Sequence, residues 1–104
     1  MSRGSSWREV EAFLDGLEGV RRHEDPRGRR WSVRNRLVAR QVDDSTLLVR
    51  CGFGAREELL ERHPDTFSVR PALEAHEKVL ADVGSGDVAA VCAALRDAWE
   101  MQRG

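Results

Sequence analysis

The chain has 104 residues, 40% of them hydrophobic and 34% charged, with a formal net charge of −1. That length allows one domain with one core, and the apolar content is too high for a disordered chain. The apolar runs are too short to span a membrane, and two cysteines, Cys51 and Cys92, do not make a disulfide scaffold or a four-ligand zinc site.

Residues 1–6 lead into no apolar segment, so no secretory signal is expected and the cytoplasm is the expected compartment. Ser5 or Ser6 can cap a helix. Trp7, Val10, Phe13, Leu14 and Leu17 then recur at spacings of three and four, which predicts a helix over 6–18 with one buried stripe. Glu11, Asp15 and Glu18 fall opposite, and Gly19 is a natural stop. Residues 20–29 are polar, contain Pro26 and Gly28, and read as a loop.

From Arg30 the period changes to two. Trp31 and Val33 point one way; Arg30, Ser32 and Arg34 point the other. A turn near Asn35-Arg36 leads to a second strand, Leu37 to Val42. Asp43-Asp44-Ser45 is turn chemistry, and Thr46 to Cys51 follows as a third strand. Leu47, Val49 and Cys51 are expected inside, leaving Thr46, Leu48 and Arg50 outside.

Gly52-Phe53-Gly54 leads into a short helix from Ala55 to Arg62 or His63, ended by Pro64. Thr66 to Arg70 reads as a fourth strand, stopped by Pro71, on which Arg70 faces outward if Phe67 and Val69 point in, and Lys78 to Val83 reads as a fifth. Ser85 or Asp87 can cap the last helix, whose stripe is Val88, Val91, Cys92, Leu95 and Trp99. This order predicts an α+β fold of two layers. Its sheet has five strands, mostly antiparallel, with the terminal helices on one face and a short helix between strands three and four. The other face is left open to water or a partner. Trp7, Leu14, Trp31, Val49, Phe67, Leu95 and Trp99 are expected to meet in one core.

Chemistry-bearing motifs are sparse. His23, His63 and His76 are scattered without ligand spacing, so no metal and no cofactor are expected. No nucleophile has an evident base partner, so no enzyme is expected, and both cysteines read as small buried residues. Gly52-Phe53-Gly54 with Arg56 in the next turn matches neither phosphate-loop spacing, and a tight turn explains the glycines.

Charge placement is more informative. Residues 21–40 hold eight arginines against Glu24 and Asp25. That excess can mark a surface for phosphates or another acidic partner. Arginine supplies sixteen of the seventeen basic residues, a skew that a GC-rich genome produces by codon choice and that a solvated surface also accommodates. Outward aromatics are missing, which argues against single strands held by base stacking.

The sequence resembles the MmcQ/YjbR family of small bacterial proteins. The resemblance rests first on Arg56-Glu57-Glu58-Leu59-Leu60-Glu61-Arg62-His63-Pro64-Asp65-Thr66-Phe67, a helix followed by Pro, an acid and Phe. It rests also on Trp31-Ser32-Val33 with Arg36-Leu37-Val38-Ala39-Arg40, and on Ala98-Trp99 near the end of the last helix. Val38 stands where the family has Phe, and 72–78 lacks the aromatics the family often has there. The resemblance implies a frataxin-like (CyaY-like) fold and a DNA-binding label, and brings no catalytic residues.

Two functions follow as expectations. The first is weak, sequence-indifferent binding of duplex DNA through Arg29, Arg30, Arg34, Arg36, Arg40 and Arg50 on the open sheet face. The alternative is a protein- or small-ligand-binding accessory module. A frataxin-like iron role would need a dense acidic ridge, and Glu9, Glu11, Asp15 and Glu18 read instead as a solvated helix face. No membrane partner is expected, and a monomer is.

Overall fold

The computed structural model describes residues 3–104, with side chains from residue 6. The amphipathic stripe forms α1 (Arg3–Gly16), which buries Trp7, Val10 and Leu14. The helix begins earlier than its serines suggest. Ser5 and Ser6 lie inside it, and the residue before it is outside the described residues. Gly19, at φ +78°, then reverses the chain.

The sheet has six strands rather than the expected five, every neighbouring pair antiparallel. The additional strand is β1 (Val20–Asp25), in the segment whose composition reads as a loop. It is an edge strand with five exposed residues out of six. With no buried face, no alternation marks it. It pairs along its whole length with β2 (Gly28–Val33). Pro26 and Arg27 form the turn, where Asp25 Oδ1 accepts from the Arg27 backbone N–H at 2.8 Å.

Arg34 and Asn35, both at positive φ, make the two-residue turn into β3 (Arg36–Gln41). The register between these strands is interrupted. Trp31 faces Ala39 and Ser32 faces Leu37, so Val38 is an extra residue in a β-bulge. Both Val38 and Ala39 are therefore buried. β4 (Thr46–Arg50) continues the meander.

After α2 (Phe53–Arg62) the chain lays β5 (Phe67–Ser68) at the far edge. The fourth strand expected over 66–70 is thus only two residues long, because Pro71 opens a 3₁₀ turn, Pro71–Leu73. β6 (Lys78–Asp82) then fills the slot between β4 and β5. The chain ends in α3 (Val88–Arg103), capped by Asp87, whose Oδ1 accepts from the Ala90 N–H at 3.1 Å.

The terminal helices pack against each other and on one face of the sheet. All seven residues expected in the core meet in a single cluster, and Trp31, Leu14, Val49 and Leu95 are fully buried. Each tryptophan also satisfies its indole N–H. Trp7 donates to the Asp44 carbonyl, Trp31 to Asp15 Oδ1 at 3.1 Å, and Trp99 to the Glu18 carbonyl at 2.8 Å. Among the described residues the architecture is α+β, with three α-helices and an open six-stranded sheet. No helix among the described residues is long and apolar enough to cross a membrane.

Candidate nucleic-acid interface

Strand register decides which arginines reach the open face. One row crosses the sheet as His23, Arg30, Arg40, Leu48, Leu80 and Ser68, each directly opposite the next. Trp31, one residue from Arg30, is fully buried under the helices, so this row faces away from them. Two residues further along β4, Arg50 faces Lys78. The open face thus carries two directly opposed cation pairs, Arg30–Arg40 and Arg50–Lys78.

Such pairs are unfavourable in isolation. Like charges directly opposite on a sheet destabilise it, by an amount on the order of 0.2–1 kcal/mol per pair. Among the described residues, none of these four cations has an ion-pair partner. Ion pairing is found instead at Arg22, Arg29, Arg56, Arg62 and Arg96. The Arg50 Nε is buried without a hydrogen-bond partner.

The six arginines singled out by the sequence divide by side. Arg30, Arg40 and Arg50 lie on the open face. Arg34 is exposed in the β2–β3 turn beside Arg21 and His23. Arg29 does not join them. It shares the parity of Trp31, turns to the helix side and pairs with Glu11. Arg36 is also turned away, because the bulge at Val38 reverses its side relative to Arg40. Its Nη1 reaches the Gln102 carbonyl of α3 at 3.5 Å. Arg36 nevertheless lines a cavity of about 440 Å³ around the end of the sheet, with Leu37, Arg50, Lys78 and Gln102. Three cations therefore converge there.

Lys78, Arg27 and Arg70 are contributors that the strand pattern alone does not single out together. Lys78 enters through its register with Arg50. Arg27 and Arg70 border a second cavity on the open face, with Arg40. No local motif signals this grouping, since it brings together residues from 27 to 78.

The helix side has the opposite character. Glu11 pairs with Arg22 and Arg29, and Asp15 with Arg22 at 3.2 Å while also accepting from Trp31. The acids of α1 are therefore partly consumed by arginines of β1 and β2. No group of three or more metal-ligating side chains forms among the described residues.

Arg56 has a structural setting rather than an exposed one. It is 7% exposed, and its guanidinium donates to the carbonyls of His76 at 2.8 Å, Glu74 at 3.1 Å and Leu73 at 3.2 Å. It also lies over the Phe53 ring, 4.9 Å from the centroid. The first turn of α2 thus uses its arginine to hold the chain segment 73–76. Burial pushes the Cys51 thiol up from 9.0 to about 11, and raises Cys92 as well. Cys51 is buried and Cys92 half-buried, and a raised thiol value lowers the fraction of reactive thiolate.

Compared with known proteins, the chain matches no family model, no curated protein and no solved structure.

Proposed function

We propose that this chain is a non-enzymatic nucleic-acid-binding module of the MmcQ/YjbR kind, with a frataxin-like fold, that grips duplex DNA by its phosphates. The observation that carries this reading is the pair of opposed cations on the open face, Arg30–Arg40 and Arg50–Lys78, without ion-pair partners among the described residues. A polyanion laid across the sheet turns two repulsions into four attractions. The helix-on-one-face layering supports the frataxin-like part of the proposal, and the sequence resemblance supports the family. Phosphate contacts carry no base information, so binding through these cations is expected to be indifferent to sequence.

The test compares two double variants with the same charge change. Arg30→Glu with Arg50→Glu reverses charge on the open face; Arg62→Glu with Arg96→Glu does so on exposed helix positions. Duplex binding at low salt is expected to be lost in the first and retained in the second. Equal loss in both, or no binding by the unaltered protein, overturns the proposal.

A further inference from the structure

The open face also holds a cleft of about 370 Å³, between the β3–β4 strands and the 3₁₀ turn. Leu48 and Leu80 lie in it, opposite one another in register, and Ala72 borders it from the turn. Leu80 is buried yet stands outside the main core cluster, because it faces the other side of the sheet. Exposed Arg27, Arg40 and Arg70 border the same cleft. None of the three has an ion-pair partner among the described residues. Arg70 does act on Asp43, whose carboxyl is held below its ordinary range chiefly by the Ser45 backbone N–H, with Arg70 contributing least. That carboxylate is already engaged: Oδ1 accepts from Ser45 N at 3.0 Å.

Cations around an apolar floor are a different arrangement from the opposed pairs described above. A phosphodiester chain is polar along its length and gains nothing from Leu48 and Leu80. An organic anion gains twice. Its charge meets guanidinium groups, which take a carboxylate in a bidentate manner and stack on rings, while its body removes apolar surface from water. The cleft falls within the range of small-molecule sites, roughly 300–1,000 Å³.

We propose that this cleft binds a small organic carboxylate with a ring-bearing apolar body. The inference stands on the cleft and does not require the duplex reading.

The experiment titrates the full chain with 2-naphthoate, followed by the methyl resonances of Leu48, Leu80 and Ala72. Saturable one-site binding is expected, with the shifts concentrated at those methyls. Arg70→Gln removes one cation at an exposed position, and Ala72→Trp fills the cleft from its border; each is expected to weaken binding about tenfold. The uncharged 2-naphthalenemethanol is expected to bind about tenfold more weakly, and inorganic phosphate not to compete. Arg62→Glu with Arg96→Glu is expected to keep the naphthoate affinity within about twofold, since both are exposed helix positions outside the cleft. No saturable binding, unchanged affinity in Arg70→Gln, equal binding of the alcohol, or equal loss in the Arg62/Arg96 variant each overturns the proposal.

Discussion

Trp31 and Asp15 are joined from sheet to helix: the fully buried indole donates its N–H to Oδ1 of Asp15 at 3.1 Å. The other carboxylate oxygen accepts from Arg22 at 3.2 Å. One side chain of α1 therefore serves both a core tryptophan and an edge strand. Replacing Asp15 by Ala leaves the indole N–H without its partner. The Asp15 side chain is 42% exposed, so water can take its place, and the cost is expected near 1 kcal/mol rather than 3. Urea denaturation measures it; a neutral result means the bond contributes nothing net.

Trp99 docks the last helix. It is 8% exposed, donates to the Glu18 carbonyl, and carries the Arg103 guanidinium 4.1 Å from its ring. Trp99→Ala is expected to cost about 3–5 kcal/mol in equilibrium unfolding. A loss below about 1 kcal/mol contradicts the docking of α3 on α1 and the sheet.

Arg56→Lys is expected to be nearly as harmful as Arg56→Ala. An ammonium has no planar fork with which to reach the carbonyls of 73, 74 and 76 together. Hydrogen bonds of a charged donor are worth about 1.5–3 kcal/mol each, so several kcal/mol are at stake in either variant. Hydrogen exchange over 73–78 reports it, and full rescue by Lys removes the argument.

The Cys51 thiol supplies a pH dependence. Its folded value, about 11, lies above its ordinary 9.0, so the folded state holds this proton more tightly than the unfolded chain. That contribution to stability is complete below pH 9 and is lost as pH rises toward 11. Cys51→Ala is expected to flatten this part of the stability profile. Alkylation at pH 8 is expected to be much slower in the folded protein than in the unfolded chain.

Salt dependence tests the phosphate contacts. Four of them, at Arg30, Arg40, Arg50 and Lys78, give a log–log slope of about −3.6 for duplex DNA. Affinities in the micromolar range or weaker are expected near physiological salt. A slope near zero means that the opposed cations do not meet phosphates.

The sequence was readable wherever one side of an element is buried. The stripes of α1 and α3 and the alternation around Trp31 and Val49 follow from burial, and those residues meet in the core. β1 is different because five of its six residues face water, so no period distinguishes it from a loop. The side taken by Arg36 depends on one extra residue, Val38, and bulges leave no mark in the alternation of neighbours. Arg29 was recoverable, since it shares the parity of Trp31 and Val33. Arg70 follows from the alternation that turns Phe67 and Val69 inward, whereas Lys78 joins Arg50 through a register distant in sequence, which no local spacing encodes.

The carbonyls gripped by Arg56 belong to the segment that borders the Leu48–Leu80 cleft. Leu73, one of its acceptors, lines that cleft, while the arginine itself rises from the first turn of α2 on the opposite side of the sheet. One guanidinium thus fastens α2 to the segment that walls the cleft, as a rivet fastens two plates, through hydrogen bonds that bypass the hydrophobic core.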